Sequence, residues 1–125
     1  MYRLAFQRLF EARHFLTGGD WGDENRPHAH RYRLECRLEG AALDEHGYLV
    51  DLVDVEARLD EALERYRGRL LNDLEEFRGL NPSLEHFARI LNDRLTANRL
   101  DPRISASEVR LWENDAAWAS HRRVA

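Results

Sequence analysis

Residues 28–39 alternate between two kinds of side chain, and this pattern constrains the fold more than any other feature of the chain. The charged face carries Arg31, Arg33, Glu35, Arg37 and Glu39, and the other face carries His28, His30, Tyr32, Leu34, Cys36 and Leu38. A period of two residues is typical of a β-strand with one buried face. The sequence therefore predicts a half-buried strand over residues 28–39.

Three further stretches also indicate strands. Residues 2–14 have apolar side chains at most even positions, and His14 follows in the same phase. The turn-rich residues 17–27 predict a loop, so the first two strands are expected to pair as a hairpin. Alternation returns over residues 105–112, and residues 117–124 are expected to form the last strand after a turn at Asn114 and Asp115.

Between these pairs of strands the spacing becomes helical. Residues 52–70 place Leu52, Val55, Leu59, Leu63, Tyr66 and Leu70 at steps of three and four, with Asp51 or Asp54 as the N-cap. A second helix is expected to begin at Asn81 and Pro82, with Asn81 as its N-cap. The order ββααββ predicts an α+β fold, in which an antiparallel four-stranded sheet carries two helices on one face.

Composition narrows the function classes. A length of 125 residues predicts a single domain over residues 1–125. A net charge of -4 gives no sign of a nucleic-acid surface. Neither a membrane-length apolar run nor a signal peptide is recognisable, so we expect a cytoplasmic protein with no membrane partner. The single cysteine, Cys36, excludes an intramolecular disulfide and is expected to be a small core residue.

Three histidines form a candidate metal site. On a strand, His28 and His30 point to the same side, and the hairpin would bring His14 close to them. Three neutral imidazoles with an open fourth position form a common catalytic zinc site. Ordinary histidines at a strand end are the alternative, but an unpartnered imidazole on the apolar face would be costly. Histidine also suits other divalent ions, so zinc is an expectation.

Six short motifs resemble, in order and spacing, the family of 6-pyruvoyl-tetrahydropterin synthases and 6-carboxytetrahydropterin synthases. They are residues 10–14 (FEARH), 27–30 (PHAH), 47–51 (GYLVD), 71–73 (LND), 81–85 (NPSLE) and 111–113 (LWE). The resemblance covers nearly the whole chain. It implies a tunnelling fold, whose subunits join their sheets into barrels as a trimer or a hexamer, and zinc held by His14, His28 and His30.

The resemblance also implies a pocket for a pterin-like ligand. Glu113 would anchor the pterin ring, since a carboxylate can accept two hydrogen bonds from the ring N–H and the amino group. Its phase with Val109 and Leu111 indicates that it faces inward. Ser83 and Glu85 stand where the family has a Pro-Thr-x-Glu segment, although the chemistry of a helix start explains them equally well.

This chain departs from the family at the residues that move protons. Glu24 replaces a cysteine four residues before His28, and the Asp-His pair before the LND motif is missing, with Arg67 and Arg69 in that stretch. The usual synthase reaction is therefore doubtful. Some family members resemble carbon–carbon lyases in which a glutamate replaces the cysteine, so Glu24 is the candidate catalytic base. A solvated loop carboxylate is the alternative for Glu24. Arg67 and Arg69 would either bind a phosphate or carboxylate group of a ligand or lie at the exposed end of a helix, where cations are favoured.

Three functions remain open from the sequence. The first is a zinc-dependent carbon–oxygen or carbon–carbon lyase acting on a dihydropterin such as dihydroneopterin triphosphate. The second is a non-catalytic homologue that binds a pterin-like ligand. The third is a cupin-type metal protein, because Gly22, His28, His30 and Glu35 match part of the first cupin motif. Glu35 lies on the wrong face of its strand for that motif, and two strong helices fit a cupin barrel badly.

Overall fold

Four strands form one antiparallel sheet, and two helices cover one of its faces. The computed structural model describes residues 1–98 and 100–125. The strands are β1 (Tyr2–His14), β2 (His28–Gly40), β3 (Ala106–Asn114) and β4 (Ala117–Val124), in the spatial order β1-β2-β3-β4. The helices α1 (Leu52–Glu64) and α2 (Leu84–Thr96) lie between β2 and β3 in the chain. This arrangement confirms the predicted α+β class and the order ββααββ.

The core lies between the sheet and the helices, where the alternation of the strands predicted it. Phe10 and Tyr32 stack in it with ring centroids 5.3 Å apart, and Phe87 of α2 meets the edges of both rings. Each such side chain contributes roughly 1.5–3 kcal/mol when it is fully buried. Cys36 also belongs to this layer, and burial raises the pKa of its thiol to about 12, as expected for a core residue.

The β1–β2 ladder determines where the histidines lie. Its register runs from Tyr2 opposite Gly40 to His14 opposite His28, so these histidines form the last pair before the loop. His30 is opposite Ala12, one inward-facing position back from the loop. The loop of residues 15–27 contains a short 3-10 helix (Gly22–Asn25). The hairpin therefore presents three imidazoles at one end of the sheet.

Helix α1 is shorter than the sequence predicted, because the chain leaves the helix to pair with β1. The helix ends at Glu64, not at residue 70. Gly68 adopts a φ of +66°, which favours glycine, and its N–H donates to the carbonyl of Glu11 at 2.7 Å. The N–H of Arg13 donates to the carbonyl of Arg69 at 2.8 Å. Residues 68–70 thus cover the end of β1.

Helix α2 begins later than predicted, at Leu84, so the expectation of Asn81 as N-cap was wrong. Ser83 is the N-cap, and its hydroxyl accepts the N–H of His86 at 3.2 Å. The side chain of Asn81 instead accepts the N–H of Thr17 at 3.0 Å, which fixes the loop after β1. For α1, Asp51 is the N-cap, one of the two residues predicted.

No helix in the described part of the chain is both long enough and apolar enough to span a membrane. The cupin alternative does not agree with this fold, in which a single sheet is covered by two helices.

Candidate functional site

The three predicted histidines converge at the loop end of the β1–β2 ladder. One ring nitrogen from each of His14, His28 and His30 lies within 4.8 Å of those from the other two. His14 is only 2% exposed, while His28 and His30 are half-buried. The cluster therefore has a protected inner side and an accessible outer side.

Backbone carbonyls determine which nitrogen of two rings faces the centre of the cluster. Nδ1 of His14 lies 3.1 Å from the carbonyl oxygen of Pro82, and Nδ1 of His28 lies 2.7 Å from that of Arg26. A carbonyl only accepts, so each Nδ1 carries the hydrogen. Each Nε2 then presents a lone pair, and the two Nε2 atoms are 2.9 Å apart. Carbonyl-held imidazoles with converging lone pairs are typical of metal ligands.

The electrostatics of the cluster favour neutral rings. Burial lowers the pKa of His14 to about 4, helped by the neighbouring His30 and His28 and opposed by the bond to Pro82. Burial also lowers the pKa of His30, although the charges of Glu113 and Glu24 oppose it. A histidine must be neutral to bind a metal, so these two rings are ready to do so at pH 7.

The hydroxyl of Tyr32 lies 3.3 Å from Nδ1 of His14. Burial raises the pKa of Tyr32, so the phenol stays protonated. Sequence reasoning placed Tyr32 on the histidine face but gave it no role. It also missed the carbonyl of Pro82, since a contact with a backbone group 68 residues away leaves no local pattern.

Glu113 reaches the same cluster from β3. Its Oε1 lies 2.7 Å from Nε2 of His30 and 3.9 Å from Nε2 of His14, and its side chain is 22% exposed. Nε2 of His30 is nevertheless buried without a hydrogen-bond partner among the described residues. An unpaired buried nitrogen beside a carboxylate, in a set of three imidazoles, fits the donor set of a zinc ion.

Glu24 lies in the short 3-10 helix of the loop and is exposed. Its carbonyl accepts the N–H of Leu16 at 2.8 Å, and the side chain of Asn25 donates to the carbonyl of Leu16 at 3.0 Å. These bonds hold the loop against the end of β1. The charge of Glu24 acts to raise the pKa of His30, and no ion pair joins the two side chains among the described residues.

Ser83 and Glu85 are not brought into the cluster. The hydroxyl of Ser83 caps α2, and Glu85 is exposed in the first turn of that helix. Arg67 pairs with Glu64 at 3.0 Å, and Arg69 is exposed, so neither arginine contacts the histidines. Ser83 and Glu85 thus belong to the start of α2, whereas Arg67 and Arg69 lie in the segment between the end of α1 and β1.

Comparison with known proteins agrees with the motifs. A family model described as 6-pyruvoyl tetrahydropterin synthase matches residues 3–124. The 6-pyruvoyl tetrahydropterin synthase of Caenorhabditis elegans has a similar structure, with a TM-score of 0.82 and 21% identity over 98% of this chain and 97% of that chain. The 6-pyruvoyl tetrahydropterin synthase of Plasmodium vivax has a TM-score of 0.80 and 15% identity, over 99% of this chain and 98% of that chain.

A further similar structure comes from the same organism. It is a catalytic-residue variant of the Plasmodium vivax enzyme in which a glutamate is replaced by alanine, with a TM-score of 0.74 and 15% identity over 99% of this chain and 98% of that chain. None of the curated proteins compared with the chain matches it. The fold is the tunnelling fold of these synthases, and the chain belongs to the 6-pyruvoyl tetrahydropterin synthase family.

Proposed function

We propose that this protein is a zinc-dependent lyase that acts on a dihydropterin such as dihydroneopterin triphosphate. One observation carries most of the proposal: Nε2 of His14 and Nε2 of His28 converge to 2.9 Å while each Nδ1 is held by a backbone carbonyl. Two lone pairs at this distance repel unless a cation lies between them. Membership of the family supports the pterin part of the proposal.

His14, His28 and His30 would hold the metal ion. Their surroundings fix the orientation of the rings before the ion arrives, which reduces the entropy lost on binding. When bound, zinc lowers the pKa of a substrate hydroxyl and polarises a carbonyl. The remaining work, which is binding the ring and moving protons, falls to the carboxylates near the cluster.

Glu113 is the proposed anchor of the pterin ring. Its carboxylate is partly buried and makes no ion pair with an arginine among the described residues, so no arginine competes with the ring for its oxygens. A bidentate pair of such bonds would orient the ring and also select it. Ser83 and Glu85 remain candidates for further contacts to the ring, although Ser83 already caps α2.

Glu24 is the proposed base. It would take the proton of the hydroxyl on the second side-chain carbon, and the bond between the first and second carbons would break. The second carbon leaves as an aldehyde, and the electron pair goes to the first carbon, which receives the proton back from Glu24. The product is a dihydropterin with a hydroxymethyl group. A solved relative with a catalytic glutamate supports a carboxylate in this role.

A homo-oligomer, trimer or hexamer, is part of the proposal. The outer edge of β1 is bridged by residue 70 at Arg13, but residues 2–9 have no second strand beside them in the described chain. The outer edge of β4 likewise has no strand paired with it within residues 1–98 and 100–125. Open edges expose rows of backbone donors and acceptors, and pairing between copies would satisfy them.

A non-catalytic pterin-binding protein is the second candidate, and the missing Asp-His pair favours it. The test is to purify the protein without added metal or a histidine tag and to measure zinc per chain. Dihydroneopterin triphosphate is then supplied, and the products are separated by chromatography and identified by mass. His28→Ala is the test variant, and His46→Ala, which changes an exposed loop histidine, is the matched control.

We expect about one zinc per chain in the wild type and in His46→Ala, none in His28→Ala, and a hydroxymethyl product that depends on zinc. Zinc binding without any product would leave the non-catalytic candidate. A wild-type protein that binds no zinc even when zinc is supplied would contradict the metal site itself.

A further inference from the structure

Glu113 touches the histidine cluster directly, which anchoring of a pterin ring does not require. Oε1 lies 2.7 Å from Nε2 of His30, yet the pair is not aligned as a hydrogen bond, since that nitrogen has no such partner among the described residues. A carboxylate this close to an imidazole nitrogen normally accepts its hydrogen. The misalignment shows that the nitrogen and the oxygen do not point at each other.

Two ligands of one metal ion have this relationship, because both point at the ion. Zinc–nitrogen and zinc–oxygen bonds are about 2.0–2.2 Å long, so neighbouring ligand atoms of a tetrahedral ion are roughly 3.4 Å apart. Oε1 of Glu113 is 2.7 Å from Nε2 of His30 and 3.9 Å from Nε2 of His14. One distance is shorter and the other longer than this value, so the oxygen lies near ligand spacing from two of the three histidines.

The backbone around Glu113 lets its side chain turn toward the cluster. In the β3–β4 ladder Trp112 pairs with Trp118 and Asn114 pairs with Ala117, and the register shifts between them, at Glu113. Such a bulge leaves its extra residue unpaired and redirects that residue's side chain. The neighbouring Trp112 is held by the guanidinium of Arg33, which lies 4.2 Å from its ring. Glu113 therefore lies at a bulge, directly after a tryptophan that is held in place.

We propose that Glu113 is the fourth metal ligand of the substrate-free protein. When a pterin binds, the carboxylate leaves the metal ion and accepts hydrogen bonds from the pterin ring instead. This inference rests on the metal site proposed above. The three histidines are the permanent ligands, and the carboxylate closes the remaining position until substrate arrives. Binding of a pterin to Glu113 would thus vacate a coordination position on the metal ion for the substrate.

The test uses the 125-residue chain loaded with cobalt(II), because the absorption spectrum of cobalt(II) depends on its ligands. Glu113→Gln is the test variant because it keeps the size of the side chain. Glu108→Gln is the matched control, since Glu108 lies on the same strand and pairs with Arg110, not with a histidine. Zinc affinity is measured beside the spectra by competition with a chromophoric chelator.

We expect Glu113→Gln to bind one metal per chain with an altered cobalt spectrum and an affinity lower by roughly ten-fold or more, because a charged ligand is lost. Glu108→Gln should match the wild type. Addition of neopterin should change the cobalt spectrum of the wild type toward that of Glu113→Gln. Identical spectra and affinities for wild type and Glu113→Gln would overturn the inference.

The two proposals fail differently in this experiment. If the wild type binds no metal, the metal site is wrong. If metal binds equally well with and without the carboxylate, only the role of Glu113 is wrong. Should Glu113→Gln not fold, the wild type decides, because its infrared difference spectrum on zinc binding must contain a shifted carboxylate band. The lack of that band contradicts the ligation.

Discussion

Nε2 of His14 faces Nε2 of His28 across 2.9 Å, and the other nitrogen of each ring contacts a backbone carbonyl. The carbonyl of Pro82 comes from the segment before α2, and that of Arg26 comes from the loop after β1. Two separate parts of the chain thus impose the same tautomer on two rings. In the metal-free protein this arrangement is electrostatically unfavourable, so binding of a cation should stabilise the fold.

Zinc is therefore expected to raise the melting temperature. At a free zinc concentration 100 times the dissociation constant the gain is about 2.7 kcal/mol, or roughly 10 °C for a domain of this size. The increase should be absent in His28→Ala and retained in His46→Ala, whose histidine lies in an exposed loop. Scanning calorimetry with and without zinc measures it, and an equal increase in both variants would contradict binding at the cluster.

Replacement of the proposed base should abolish turnover and leave the metal in place. Glu24→Gln removes the group that accepts the proton, and loss of such a group lowers kcat by roughly 100-fold or more. Asp23→Asn is the matched control, because Asp23 is exposed in the same short helix. Zinc content should be unchanged in both. Wild-type kcat in Glu24→Gln would assign the proton transfer to another group.

Asn72 is expected to support the end of β1. Its side chain accepts the N–H of Phe15 at 3.0 Å and donates to the carbonyl of Phe15 at 2.9 Å, next to His14. Asn72→Ala leaves both backbone groups unpaired, which lowers the free energy of unfolding by about 1–3 kcal/mol. Asp73→Ala, at an exposed position in the same turn, should change it little. Urea denaturation measures both, and equal stabilities would refute the role.

Glu76 should make stability sensitive to acid. Hydrogen bonds from Arg65 lower the pKa of Glu76 to about 2, and the hydroxyl of Tyr66 adds to the effect. Because this pKa is lower than in the unfolded chain, the stabilisation is complete above about pH 4.5 and is lost as the pH falls toward 2. Glu76→Gln should lose about 1–3 kcal/mol at pH 7 and show a weaker pH dependence in that window.

Urea denaturation between pH 2 and 7 tests this prediction. The matched control is Glu75→Gln, since Glu75 is largely exposed and its one ion pair within residues 1–98 and 100–125 is with Arg78. An exposed pair of this kind contributes little to stability, so the control should follow the wild-type curve. If Glu76→Gln keeps the wild-type slope below pH 4.5, another carboxylate is responsible for the acid sensitivity.

The strands were predictable because the alternation of apolar and polar side chains follows directly from which side chains are buried. A shift of one residue would move every apolar side chain to the wrong face, so alternation determines register. The start and end of β1 were correct, and β2 extends one residue beyond the prediction, to Gly40. The meeting of His14 with His28 and His30 follows from that register.

The boundaries of the helices and the carboxylate of the cluster depend on contacts distant in sequence. Tyr66 has the phase of α1 but lies beyond its end, where its hydroxyl donates to Glu76 at 2.8 Å. The spacing around Glu113 indicated that it faces inward, but it did not show the bulge that turns it to His30. Local patterns do not encode either tertiary contact.

The pairing of His14 with His28 at the end of the β1–β2 ladder also matters for chain entropy. A metal ion bound by both residues would be a crosslink that closes the loop of residues 15–27. A covalent crosslink around about 15 residues removes roughly 3 kcal/mol of conformational entropy from the unfolded chain, whereas an ion that binds only the folded chain stabilises it by mass action. Glu24 belongs to this loop, and hydrogen bonds to Leu16 already hold the loop against the end of β1, so the ion would add a second attachment at its base. Binding and release of the ion would thus change how firmly the two ends of the loop that contains the proposed base are joined.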